Sequence, residues 1–107
     1  MVVEQPDAWT ALGDSTRKAI FELLVDRPRA VVELASELPV SRPAVSQHLR
    51  VLKNAGLVVD EPAGTRRIYR VNPDGLAGLR ADLERFWGRA LAAYGAAVEQ
   101  AMEEEKK

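Results

Sequence analysis

Apolar residues in the first forty positions recur three and four residues apart, the spacing of helices with one buried face. Pro28 and Pro39 interrupt this pattern, because a proline disfavours helical geometry in the residue before it and lacks a backbone N–H. The segment 7–38 is therefore predicted to hold short N-terminal helices. They are residues 8–12 behind an Asp7 cap, a helix from Asp14 or Ser15 to about Val25, and a helix over about Val32–Leu38.

A fourth helix is predicted over residues 41–54. Ser41 suits its N-cap, and Pro43 falls in the first turn, where a missing N–H does no harm. Gly56 is expected to end the helix. Its apolar positions form a single stripe, so a polar face is left outward. That face is expected to present Arg42, Pro43, Ser46, Gln47, Arg50 and Lys53.

After Leu57 the pattern changes to short, β-branched and partly alternating runs, which are typical of strands. Two strands joined by the turn-rich tip 62–65 predict a β-hairpin over residues 57–72. A long helix with an apolar stripe follows over about residues 74–102, and residues 103–107 are expected to be a frayed tail. The chain is thus predicted to be one mainly α domain over residues 1–107, a winged helix-turn-helix in the order α-α-α-α-β-β-α.

Composition narrows the classes of function. The 107 residues include no cysteine and one histidine, His48, which excludes disulfides, iron–sulfur clusters and a thiolate zinc site. No metal site and no cofactor are expected. No apolar run is long enough to span a bilayer, and the N-terminus lacks the pattern of a secretory signal, so we expect a cytoplasmic protein without membrane contact.

The distribution of charge is more informative than the net charge of −1. Residues 41–73 carry six basic and two acidic side chains, whereas residues 1–40 and 74–107 are both net acidic. A basic middle segment between acidic ends is typical of a phosphate-binding face. Double-stranded DNA is the partner that this pattern predicts.

The fourth helix and the hairpin carry residues suited to reading DNA. Glutamine pairs with adenine edges, arginine pairs with guanine, and serine allows close approach. Arg50 and Lys53 lie further along the helix and are expected to meet phosphate. The helix alone fits an ordinary solvated face equally well, but the basic hairpin beside it favours DNA. The predicted DNA-binding residues are Ser41, Arg42, Pro43, Ser46, Gln47, His48, Arg50, Lys53, Thr65, Arg66 and Arg67.

The runs ALGDSTRKAIFELL and PVSRPAVSQHLRVLKNAGLVVDEPAGTRRIYRVNPDGL resemble the ArsR/SmtB family of transcriptional repressors. The resemblance covers roughly Trp9 to Tyr94 and implies a homodimeric repressor that binds an imperfect inverted repeat. It also implies a packing role or a phosphate contact for His48, since the family carries a histidine there. The family's metal ligands are missing. Ala30, Val32 and Ala35 match one set, and Asp74, Leu76, Trp87 and Ala90 match the other, where Asp74 alone is retained and is expected to cap the last helix.

The apolar stripe of the last helix is richer in aromatic residues than one small domain needs, although packing within the chain would also account for it. We expect a homodimer through the first and last helices, because two-fold symmetry places two recognition helices one turn of DNA apart. The sequence identifies no small-molecule effector, but an apolar one would find its place among these aromatic residues. The predicted interface is Trp9, Leu12, Leu76, Leu79, Leu83, Phe86, Trp87, Leu91 and Tyr94.

Two other classes of function fit the sequence less well. A winged-helix module that binds protein rather than DNA fits the acidic ends, but not the basic hairpin. An enzyme is not expected, because the adjacent carboxylates Asp60 and Glu61 would face opposite sides of a strand. A serine–histidine pair would have to use His48 on the predicted DNA face.

Overall fold

A computed structural model describes residues 6–106, and it confirms the predicted order of helices and hairpin with one short strand added. The chain divides into two compact units, the residues up to Ala77 and those from Gly78 onward. The elements in chain order are α1 (Ala8–Ala11), α2 (Ser15–Asp26), β1 (Arg29–Ala30), α3 (Val31–Glu37), α4 (Arg42–Asn54), β2 (Val58–Ala63), β3 (Arg66–Val71) and α5 (Pro73–Glu105).

The predicted element boundaries differ from the observed ones by at most a few residues. The largest difference is at the end of α5, where residues 103–105, expected to fray, are helical. Glutamate is a good helix former, so the three consecutive glutamates extend the helix rather than end it. Lys107 lies outside the described residues. Among residues 6–106, no helix combines the length and the apolar content that a membrane crossing requires.

The three strands form one antiparallel sheet in the order β1-β3-β2. Tyr69 in the central strand lies opposite Arg29 on one side and Asp60 on the other. The sequence analysis missed β1 because a strand of two residues is too short to show alternation, and its pairing with β3 joins distant parts of the chain.

The helix starts are fixed by the cap residues that the sequence predicted. The carboxylate of Asp7 accepts a hydrogen bond from the backbone N–H of Thr10 at 2.7 Å. The carboxylate of Asp14 accepts one from the backbone N–H of Arg17 at 2.9 Å. These backbone hydrogen bonds hold the pKa of both carboxyls below the ordinary value. The Ser41 hydroxyl accepts from the Ala44 N–H at 3.3 Å, which sets the first turn of α4.

The first unit has a fully enclosed apolar core. Its members come from α2, α3, α4, the start of β2 and the residue that precedes β2. The largest buried side chains are Ile20, Leu34, Val45, Leu49, Leu52, Leu57 and Val58. Arg29, itself buried, forms an ion pair with Glu37 and so ties β1 to the last residue of α3.

Asn72 connects the hairpin to α5. Its side-chain amide donates to the Gly56 carbonyl at 2.9 Å, and its side-chain oxygen accepts from the Asp74 N–H at 3.1 Å. The expectation that Asp74 caps the last helix was therefore wrong, because Asn72 performs that role. Gly75 packs against the same loop, since a Cβ there would lie 2.1 Å from the Gly56 carbonyl oxygen.

Candidate nucleic-acid interface

The outward side of α4 is mostly polar. Val45, Leu49 and Leu52 are fully buried, so the opposite side of the helix faces solvent. At about 3.6 residues per turn, the residues farthest from the buried stripe are Pro43, Gln47, Arg50 and Asn54, and all four are exposed. Asn54 was missed by the sequence analysis, although its spacing from Gln47 and Arg50 follows the helical period. Its amide suits an adenine edge as well as that of Gln47 does.

A groove separates α4 from the hairpin. Helical spacing places Arg42, Ser46 and Lys53 on the flank of α4 that lines this groove, and Tyr69 of β3 lines it from the sheet. Two cavities of about 370 and 380 Å³ make up the groove, and Ser46 and Tyr69 border both. Tyr69 is a second residue that sequence reasoning missed, because its place depends on the register of the sheet.

The hairpin tip is exposed and basic. Gly64, with a φ of 65°, forms the turn, and the exposed Thr65 and Arg66 follow it. A positive φ is costly for any residue with a Cβ, so glycine is the residue suited to this tip. The hairpin lies beside α4, as predicted for a wing.

Lys53 and Arg67 differ from the other predicted phosphate ligands. Both are predicted to contact DNA, which stays a prediction, and each forms an ion pair with Asp60. Within the described part of the chain, the basic residues of this face without an ion pair to a carboxylate are Arg42, Arg50 and Arg66. These three guanidinium groups give the face a positive potential.

His48 lies on the flank of α4 away from the groove. It is half-buried and interacts electrostatically with Asp14, the N-cap residue of α2. A DNA contact for His48 stays a prediction, but its position also fits the packing role that the family resemblance implied. Ser41 is exposed, and its hydroxyl oxygen is used in capping α4.

Comparison with known proteins agrees with this architecture. Residues 14–59 match the family model described as bacterial regulatory protein, arsR family. The HTH-type transcriptional regulator Rv2034 of Mycobacterium tuberculosis is 63% identical over 95 residues, which make up 88% of this chain and 89% of that protein. This chain belongs to the ArsR family. The resemblance found in the sequence is confirmed, and the protein is a transcriptional regulator with a DNA-binding winged helix.

Further ArsR relatives extend the comparison. The HTH-type transcriptional repressor SmtB of Mycobacterium tuberculosis is 42% identical over 72 residues, 67% of this chain and 53% of that protein. A crystal structure of a possible transcriptional regulator for arsenical resistance has a TM-score of 0.71 at 42% identity, covering 81% of this chain and 95% of that chain. These relatives are transcriptional regulators, which favours a protein without catalytic activity.

One solved structure is a homodimer. The solution structure of the homodimeric winged helix-turn-helix DNA-binding domain Mb0332 from Mycobacterium bovis has a TM-score of 0.63 at 31% identity, with 76% of this chain and 75% of that chain covered. It confirms the winged helix-turn-helix as the fold of this ArsR protein.

The residues at the metal-binding positions of the ArsR family do not fit a metal in this protein. Ala30, Val32 and Ala35 carry only hydrocarbon side chains, and so does Leu76 in the second set. None of these side chains offers a lone pair to a cation. These four side chains therefore supply no metal ligand.

The predicted dimer surface is largely exposed in the single chain. Trp87 and Tyr94 are 67% and 70% exposed, respectively. Leu79 differs, because it is already buried within one chain, and its place in the interface stays a prediction. Leu12 is half-buried. The exposed members of the predicted interface are Trp9, Leu76, Leu83, Phe86, Trp87, Leu91 and Tyr94.

Proposed function

We propose that this ArsR regulator is a homodimeric repressor that binds an inverted-repeat operator. Each protomer inserts α4 into a major groove, and its wing reaches the adjacent backbone or minor groove. The observation that carries this proposal is the exposed row of Gln47, Arg50 and Asn54 beside a basic hairpin tip. Gln47 and Asn54 are the candidates for reading bases, while Arg42 and Arg66 are candidates for holding phosphate.

Dimerisation is supported by the exposed aromatic side of α5. A soluble chain seldom exposes several large apolar side chains on one helix unless another surface covers them. A second copy of the same chain covers this face and supplies the second recognition helix that an inverted repeat requires. The homodimeric Mb0332 domain is a structural precedent.

Repression would follow from occupancy of the operator. A dimer with two recognition helices about 34 Å apart covers two successive major grooves on one side of the duplex. RNA polymerase then cannot use a promoter that overlaps this site. The related SmtB protein is a repressor, which supports the same sign of regulation here.

We propose further that the regulator does not sense metals through the two sets of positions that hold metal ligands in other members of the family. The support is chemical, since Ala30, Val32 and Ala35 have no donor atoms. Zinc or arsenite added to the protein–operator complex should therefore leave its dissociation constant unchanged. A metal-induced release of DNA at micromolar concentration would contradict this part of the proposal.

Selection from a random DNA library with the purified protein tests the function directly. The selected sequences should share an inverted repeat with half-sites one helical turn apart, and binding should weaken steeply with salt. In a transcription assay with purified polymerase, an operator that overlaps the promoter should reduce transcript when the protein is added. Failure to enrich any sequence would overturn DNA reading, whereas enrichment of a single half-site would overturn the dimer.

A further inference from the structure

Asp60 lies where the recognition helix meets the wing. One carboxylate oxygen is 2.7 Å from Lys53 Nζ, and the other is 2.7 Å from Arg67 Nε. The Asp60 side chain is only 5% exposed, whereas those of Lys53 and Arg67 are 52% and 56% exposed. We call these three side chains the helix–wing junction.

The fold explains how residues distant in sequence meet here. Lys53 is in the last turn of α4, and Asp60 is in β2, which follows the recognition helix directly. Pro62 lies opposite Arg67, so Asp60 and Arg67 are diagonal neighbours on one face of the hairpin. Alternation along β2 turns Glu61 to the other face, where it is exposed.

The two ion pairs are also what allows a carboxylate to be buried at this place. A buried carboxylate without partners is strongly unfavourable, whereas charge-assisted hydrogen bonds on both oxygens compensate for the lost water. The bonds from Lys53 and then Arg67 hold the pKa of Asp60 below its ordinary value, so Asp60 is ionised at neutral pH. The junction then carries one net positive charge, although it contains two cations.

We propose that Asp60 is a positioning residue that determines specificity, because it fixes the distance between recognition helix and wing and withholds one positive charge from non-specific DNA. This inference rests on the proposed DNA-binding function. Binding to random DNA depends on the number of basic side chains available to phosphate, and it does not require a fixed distance between helix and wing. Binding to an operator requires the helix and the wing to engage together, which a fixed junction favours.

The substitution Asp60→Asn tests this role, with Glu61→Gln as its matched control. Both substitutions remove one negative charge from the same strand, but only the first frees Lys53 and Arg67. Dissociation constants should be measured for the selected operator and for a random duplex over a range of salt concentrations. Circular dichroism and thermal unfolding should show that each variant is folded.

For D60N we expect tighter binding to random DNA. The slope of log association constant against log salt concentration should be steeper for D60N than for E61Q by about 0.9, which corresponds to one additional phosphate contact. The operator-to-random ratio should fall roughly tenfold, the size of one lost specific contact. Asp60→Glu keeps the charge and should restore the wild-type slope. If D60N and E61Q share the same slope and ratio, or if D60N weakens both DNAs equally, the positioning role is overturned.

Lys53→Gln provides a second variant that opens the junction from the helix side, in case D60N does not fold. Loss of a phosphate contact alone would weaken operator and random DNA by the same factor. Loss of positioning should also lower the operator-to-random ratio, and a ratio equal to wild type would contradict the inference.

NMR relaxation of the wing amides in the DNA-free protein separates the two proposals. D60N should increase wing mobility relative to E61Q, and equal mobility would overturn the junction as a positioning device. If wild type binds no DNA, the proposed function fails and the specificity role fails with it, whatever the wing does. If wild type binds and only the D60N differences are missing, the proposed function stands and this inference alone fails.

Discussion

The two units of this protein differ in how far their apolar side chains are buried. In the first unit, Leu49 and Leu52 of α4 are fully buried, and the exposed positions of that helix are polar. In the second unit, Trp87 and Tyr94 of α5 are more than half exposed. The stability of a helix in water depends largely on packing of its apolar face. The apolar face of α4 is covered within the first unit, whereas that of α5 in the second unit is exposed in the single chain.

The two units therefore have different roles. The winged unit encodes a structure that a single protomer can complete, and it presents the groups for DNA. The exposed side of α5 encodes an interaction that a single protomer does not complete. Substitutions in the buried core of the first unit should therefore change stability, whereas those on the exposed aromatic face of α5 should change assembly.

The largest expected effect is in the enclosed core. Leu49→Ala removes a fully buried side chain from α4 and should lower the free energy of unfolding by about 2–5 kcal/mol, because it leaves a cavity. Urea denaturation followed by circular dichroism measures this change. Val25→Ala is the control, because Val25 is a 56% exposed apolar residue of α2 and its loss should change stability by no more than about 0.5 kcal/mol. Equal losses for the two variants would contradict the assignment of the core.

The next largest effect is expected on assembly. Trp87→Glu places a charge in the exposed aromatic face and should weaken dimerisation by at least about 2 kcal/mol, as truncation of an interface anchor does. Sedimentation velocity over a range of protein concentrations measures the change. The unfolding transition of the winged unit should be little affected.

Ala96→Glu is the matched control for that substitution. Ala96 is nine residues beyond Trp87, which is about half a turn away around an α-helix, and it is exposed. It adds the same charge to the opposite side of α5. If A96E weakens the dimer as much as W87E, the interface is not the aromatic face.

Within the first unit, base reading and phosphate binding should be separable. Gln47→Ala should cost about 1–3 kcal/mol on the selected operator and relax the preference at one base position. Arg66→Ala should weaken all sequences alike and reduce the salt slope by about 0.9. Binding to a set of single-base operator variants measures both. If Q47A loses the same binding free energy on every operator variant, Gln47 does not read a base.

Local signals account for what the sequence predicted well. Asp14 and Ser41 mark helix starts through bonds to backbone only three residues away, and Gly64 marks the tip of the hairpin through its own backbone conformation. The outward face of α4 follows from its period, so Gln47 and Arg50 could be placed without a structure. Asn54 was within reach of the same argument.

Non-local packing accounts for what the sequence could not give. β1 exists only because Arg29 and Ala30 pair with residues about forty positions later in the chain. Asp60 is a second example, because no spacing rule places its carboxylate between Lys53 and Arg67. The pairing depends on how the end of α4 lies against the hairpin, which is a property of the folded unit.

The smallest predicted effect concerns the pH range over which the helix–wing junction persists. The hydrogen bond from Lys53, followed by that from Arg67, lowers the pKa of Asp60 from its ordinary value of 3.8. A lowered folded-state pKa contributes stability that is fully present well above the unfolded value and is lost as the pH falls through the lowered one. The difference in unfolding free energy between wild type and D60N should therefore stay constant from neutral pH to about pH 5, since Asp60 is ionised throughout that range.

NMR titration of the Asp60 side-chain carbon measures this pKa directly. Lys53→Gln should raise the pKa of Asp60 toward 3.8, because it removes the largest of the stabilising contacts. Arg67→Gln should raise it by a smaller amount, since Arg67 contributes the second hydrogen bond. If neither substitution moves the Asp60 titration, the carboxylate does not join the helix to the wing.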